Sequence, residues 1–325
     1  MSPASPGESF PSSPGFGAGA AVRPSRWMRG WRRLRPLASA VLLAGCSLAH
    51  ARQTAGCMAL ETTVALPDSL DRVSAIAQSR RWPGLFWGIV GEGESDRLYG
   101  FDDAGVLRAQ VRVRRARNKD WEALSTGPCP TGSCLYVGDV GDQHNARDSV
   151  TIWRVPEPAP GDTVTRPAQA LLAAYPTGPR DASGMFVLPS GDVYLVTRGR
   201  KSPEEVWRLR PPFRRNAVMR LDFVRRLAPQ PTLRENRVTG AAASPDGRWV
   251  GLRTYDDLYL WPTAAFLDGT DVPWTASLAA LEERDGVGLA MGPGGEVLVT
   301  SQGRKKLPAI GAHLVCMLPT GRASA

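Results

Sequence analysis

The chain has 325 residues and a net charge of +9 at neutral pH, with 34 glycines, 28 prolines and only three histidines. Residues 1–45 hold six arginines against the lone acid Glu8, so the remainder carries only +4. With no basic block and no interleaving of aromatic and basic residues, nucleic acid is excluded as a partner class.

The N-terminal text divides in two. Residues 1–27 include a Pro-, Ser-, Gly- and Ala-rich stretch that packs no core and read as a mis-annotated or disordered extension, with Met28 as the true start. Residues 28–45 carry Arg29, Arg32, Arg33 and Arg35 before the short apolar run Leu37–Leu43, which describes a secretory signal peptide rather than a membrane span. Leu43-Ala44-Gly45-Cys46 resembles the bacterial lipobox, which implies lipidation of Cys46 and a lipidated linker over 46–56. Ser47 rather than Asp after the Cys, by resemblance to known lipoproteins, implies sorting to the outer membrane. The expectation is an exported protein anchored by lipid to the cell envelope.

From residue 57 onward the text repeats. First strands are expected near Val73–Ala77, Trp121–Ser125, Ala182–Val187, Val238–Ala243 and Val287–Met291. Third strands with aromatics align as Arg97–Phe101, Val150–Arg154, Glu205–Leu209, Leu258–Trp261 and His313–Met317. Pro/Gly turns such as Pro189-Ser190-Gly191 and Pro245-Asp246-Gly247 punctuate the hairpins. A spacing of roughly 50 residues suits four-stranded blades and predicts an all-β fold, a single β-propeller. Five blades is the best count; inserts over 156–168, 210–217 and 262–273 leave room for a sixth. The last unit lacks a fourth strand, and Leu60–Leu66 is expected to supply it, closing the ring.

With Cys46 set aside as the lipid site, four cysteines remain, and four permit three pairings. The strand register favours Cys57–Cys316 across the ring closure and Cys129–Cys134 across a tight turn. Zinc is a poor reading of thiols four residues apart with no partner pair, so an oxidising compartment accounts for them better.

The conspicuous polar residues fall in loops expected on one face of the ring. Asp120, Trp121, Glu122, Asp139, Asp142 and Arg147 come from the second unit, Asp181 and Arg198 from the third, and Arg253 and Tyr255 from the fourth. Asp120-Trp121-Glu122, Gly138-Asp139-Val140-Gly141-Asp142, Arg154-Val155-Pro156-Glu157-Pro158, Ser244-Pro245-Asp246-Gly247 and Leu252-Arg253-Thr254-Tyr255 resemble the motifs of a largely uncharacterised family of exported bacterial β-propeller (lipo)proteins. That family is distantly similar to six-bladed hydrolytic propellers. The resemblance covers most of residues 70–305, but Ser183, Ala242, Gly288 and Gln302 stand where the family pattern has acids. The inner acidic ring is reduced to Glu122 with Asp120.

Two function classes follow. One is a Ca²⁺-dependent hydrolase of phosphoesters, esters or lactones, using Asp120, Glu122, Asp139 and Asp142; Ca²⁺ needs roughly 6–8 oxygen ligands. The other, favoured here, is a non-catalytic module without a cofactor. It would present Trp121, Arg147, Arg253 and Tyr255 to an envelope ligand or partner protein. Asp139 and Asp142 read either as ligands or as turn caps that accept backbone N–H bonds. Arg253 reads either as an anion clamp or as a partner of Asp256 or Asp257.

Overall fold

The computed structural model describes residues 56–200, 203–227, 237–270, 272–283, 285–304 and 307–318. The extension over 1–27, the signal peptide over 28–45, Cys46 and the linker up to residue 55 lie outside the described residues.

The chain starts its fold with β1 (Cys57–Ala65). Blade 1 is β2 (Val73–Gln78), β3 (Leu85–Val90), β4 (Arg97–Asp102) and β5 (Leu107–Arg112). Blade 2 is β6 (Trp121–Cys129), β7 (Gly132–Asp139), β8 (Val150–Pro156) and β9 (Gln169–Ala174). Blade 3 runs β10 (Ala182–Val187), β11 (Val193–Thr197) and β12 (Glu205–Leu209); β13 (Val218–Arg220) then pairs in parallel with β9, and β14 (Asp222–Arg226) completes the blade. Blade 4 is β15 (Gly240–Ala243), β16 (Trp249–Arg253) and β17 (Asp257–Pro262), then the helix α1 (Thr263–Asp268) and β18 (Trp274–Ser277). Blade 5 is β19 (Gly286–Met291), β20 (Glu296–Ser301) and β21 (Ile310–Cys316), with β1 as its outer strand.

Five blades is therefore the count, and the inserts form no sixth among the described residues. The insert over 156–168 reaches back to blade 1 through an isolated bridge between Arg112 and Val164. That over 210–217 leads into β13, and that over 262–273 holds α1.

The first strands form the inner ring: β2 neighbours β6, then β10, β15 and β19, which returns to β2. The core is five wedges, one at each junction. Trp87, Trp121 and Leu135 fill the wedge between blades 1 and 2, and Tyr136, Met185 and Trp207 that between blades 2 and 3. Phe186 and Val250 lie between blades 3 and 4, Leu260 and Leu289 between 4 and 5, and Phe101 and Leu298 between 5 and 1. Each fully buried Leu, Ile or Phe contributes about 1.5–3 kcal/mol.

Ring closure is both sheet pairing and covalent bond. Cys57 lies opposite Cys316 in the β1–β21 ladder, and the two form a disulfide across 259 residues. In the loop-entropy account a bridge over so long a loop stabilises by about 5 kcal/mol. Cys129–Cys134 closes the β6–β7 hairpin, where Gly132 takes φ +105°, a region open to glycine.

Candidate functional site

The mouth of the ring is built at the starts of the inner strands. In β2, β6, β10 and β19 the ladder slips at the second residue, so Ser74, Glu122, Ser183 and Val287 occupy equivalent bulged positions. A bulge re-aims the side chain it carries. Of these four residues only Glu122 is charged. Ser74 Oγ donates to Trp121 O at 2.7 Å and Ser183 Oγ donates to Val238 O at 2.6 Å, each reaching the next blade. Gln302 Nε2 donates to Val73 O at 2.9 Å across the ring closure. At positions 183 and 302 a carboxylate could not donate these bonds, so the neutral residues serve as staples between blades. Gly288 leaves no room for a longer side chain: a Cβ there would sit 2.1 Å from Thr300 Oγ1.

The acids expected to be catalytic do gather at the mouth of blade 2, and almost all are engaged. Asp142 accepts hydrogen bonds from the Ala146 and Arg147 backbone N–H groups, both at 2.9 Å, and caps the loop between β7 and β8. Asp139 accepts from the Asp120 N–H at 3.1 Å and from the Arg147 guanidinium at 2.9 Å. Asp142 therefore takes the turn-capping geometry, whereas Asp139 ties the Arg147 loop to the start of β6. Glu122 is paired at 2.5 Å with Arg198 of blade 3, both side chains being at most 16% exposed. Asp181 accepts from the Asp142 N–H at 3.0 Å and lies 3.9 Å from Arg198 Nε.

Asp120 is the exception. Burial, then the Glu122 charge and a hydrogen bond to Glu122, with Glu92 and Asp181 behind them, push its carboxyl up to about 7. Its Oδ1 is buried without a hydrogen bond, as are Asp181 Oδ2 and Arg198 Nε, whose 3.9 Å contact is an ion pair only. Burial alone would weaken the hold of Arg198 on its proton. Glu122 and Asp181 outweigh it, with Tyr255 and Asp120 behind, and the net direction is up.

This donor set does not fit Ca²⁺. Glu122 and Asp139 are neutralised by arginines, Asp142 is held by backbone N–H groups, and Asp120 keeps its proton to near neutrality. Among the described residues no group of three or more His, Cys, Asp or Glu is placed to hold a metal ion.

Two of the four expected surface residues are not on the surface. Trp121 is fully buried in the wedge with blade 1, its Nε1 donating to Arg117 O at 3.1 Å. Strand pleating sends it to the face opposite its neighbours. Arg253 is also fully buried, between blades 4 and 5. It pairs with Glu283 at 2.5 Å and donates to Gly288 O and Thr300 O, both at 3.2 Å. It is thus neither an anion clamp nor a partner of Asp256 or Asp257, because Glu283 and two carbonyls already surround it. Arg147 and Tyr255 remain partly exposed at the mouth.

In the sequence Glu157 is read only as part of a motif, and Glu283 is given no place. Glu157, in the Pro156-Glu157-Pro158 segment, is buried and accepts from Trp87 Nε1 at 3.1 Å, from Ser133 Oγ at 2.7 Å and from Ser79 Oγ, joining blades 1 and 2. A carboxylate between two prolines at the end of an apolar strand was the available signal for Glu157. Glu283, in a polar loop, offered none.

No protein-family model and no curated protein matches the chain. Several solved structures are similar in architecture. One is the PQQ-bound aldose sugar dehydrogenase of Streptomyces coelicolor, at 11% identity and TM-score 0.49, covering 81% of this chain and 98% of that one. Another is the periplasmic gluconolactonase of Pseudomonas aeruginosa, at 17% identity and TM-score 0.35, covering 73% and 70%. A third is a virginiamycin B lyase from Staphylococcus aureus with quinupristin, at 13% identity and TM-score 0.37, covering 77% and 68%. These likenesses concern the β-propeller architecture and say nothing of site residues.

Proposed function

We propose that this chain is an exported, lipid-anchored β-propeller of the cell envelope that works as a non-catalytic binding module. Its mouth loops engage an envelope ligand or partner protein. The observation that carries this reading is the engagement of Glu122, Asp139 and Asp142 in internal bonds to Arg198, Arg147 and backbone N–H groups. Side chains so held serve the ring and are not free to ligate a metal or take a proton from water. The mouth exposes to a partner His144, Arg200, which donates to Gln143 at 2.9 Å, and part of the Arg147 and Tyr255 side chains.

Calcium titration by calorimetry, with thermal melts and esterase, lactonase and phosphoesterase assays, tests the reading on purified residues 47–325, which lack the signal peptide and the lipid site. No calcium heat, no rise in Tm and no turnover are expected. Micromolar calcium binding that disappears in Glu122→Gln would overturn it and restore the hydrolase. The anchor has its own test: a palmitate analogue should label wild type and not Cys46→Ala, and equal labelling would remove it.

A further inference from the structure

The inserts after β8 and after β12 meet at the outer edge of blade 2. The first is pinned to blade 1: Arg112 N–H donates to Thr163 O, Thr165 N–H to Arg112 O and Ala168 N–H to Arg114 O, each at 2.9 Å. The second is held on blade 2 by the parallel pairing of β13 with β9 and by the Arg154 guanidinium, 5.2 Å from the Phe213 ring centre. Arg154 also donates to Gln169 Oε1 at 2.7 Å.

Between the inserts lies a cavity of about 720 Å³, whose lining includes Arg115, Trp153, Arg166, Gln169, Arg215 and Asn216. No Asp or Glu lines it. The guanidiniums of Arg115, Arg166 and Arg215 have no hydrogen-bond or ion-pair partner among the described residues. The buried Trp153 Nε1 also has no acceptor. Arg115 and Asn216 both hold left-handed backbone, at φ 69° and 55°, which for an arginine persists only where its surroundings impose it. The cavity therefore offers three exposed guanidiniums and no competing carboxylate.

Guanidinium forks match the geometry of phosphate oxygens and stay charged at every physiological pH. The volume falls in the range of small-molecule sites, about 300–1,000 Å³. We propose that this cavity binds a phosphate-bearing ligand, a sugar phosphate or a phospholipid headgroup, through Arg115, Arg166 and Arg215 with the Trp153 indole N–H as a further donor. The site lies away from the mouth loops and stands whether or not the mouth engages a partner.

Calorimetry on the full chain at low ionic strength, with glucose phosphate and with glycerol phosphate as the soluble headgroup, tests the proposal. Binding is expected, with the tighter of the two naming the source. Arg115→Gln, Arg166→Gln and Arg215→Gln should each weaken it roughly tenfold, the scale of one charge-assisted hydrogen bond. Trp153→Phe should weaken it severalfold. As a control for net charge, the triple variant Arg72→Gln, Arg108→Gln, Arg248→Gln removes guanidiniums already paired with acids elsewhere on the surface. It should bind as wild type does. No heat with either phosphate, or equal loss in the control triple, would overturn the site.

Discussion

At the mouth of the ring Glu122, Asp139 and Asp142 each have an arginine or backbone N–H partner, whereas at the outer edge of blade 2 three arginines line a cavity that holds no acid. Position in the ring explains the contrast. Inner strands converge at the mouth, the charged side chains there are largely buried, and an unmatched charge so placed costs several kcal/mol. Arginines at the outer edge keep their hydration and need no partner for the fold. The paired charges therefore report on assembly of the blades, and the unpaired ones are available to a ligand.

Substitutions separate the two regions, and the steepest effect is expected deepest inside. Arg253→Met leaves the Glu283 carboxylate buried without its counter-charge, as its side chain is 1% exposed. Loss of one partner of a buried pair costs about 3–5 kcal/mol. Denaturant unfolding should show it, and a change under 1 kcal/mol would mean that the junction of blades 4 and 5 does not depend on this clasp.

Asp120 gives the mouth a pH signature. The folded protein holds this proton to about pH 7, whereas the unfolded chain releases it near pH 4. Folding takes up a proton in that window, so this group's contribution to stability falls as pH rises from about 4 to about 7 and then levels off. The size is about 2 kcal/mol, roughly half the full linkage value, because the carboxyl keeps some hydration. Asp120→Asn should flatten that part of the curve, and identical pH profiles for variant and wild type would refute the assignment.

Across blades 2 and 3, Glu122→Gln, Arg198→Gln and the double variant form a cycle with an expected coupling of about 1 kcal/mol. Additive effects would mean that the pair merely shares the mouth. The smallest effect belongs to the outer edge: Arg166→Gln should change stability by less than about 0.5 kcal/mol, as is usual for an exposed side chain. A larger loss in the melt would place this arginine in the fold.

Much of this architecture was legible in the repeat. Period-2 runs, Pro/Gly turns and the spare N-terminal strand located the first strands, the ring closure and both disulfides, because each depends on local pattern and on which ends must meet. The second-unit acids were also found as a group, since they flank one inner strand. Their partners were not. Arg198 lies 76 residues from Glu122 and Glu283 lies 30 from Arg253. No local pattern relates residues brought together only by the order of blades.

The amino-acid sequence alone determined a β-propeller closed by its two ends, because strand period and turn chemistry are properties of neighbours along the chain. The tertiary structure decided five blades rather than six by sending the inserts across neighbouring blades instead of into a sheet of their own. It also decided which charges are matched. Pairing depends on distances between blades and on how much water each junction admits, and both exist only once the ring is assembled.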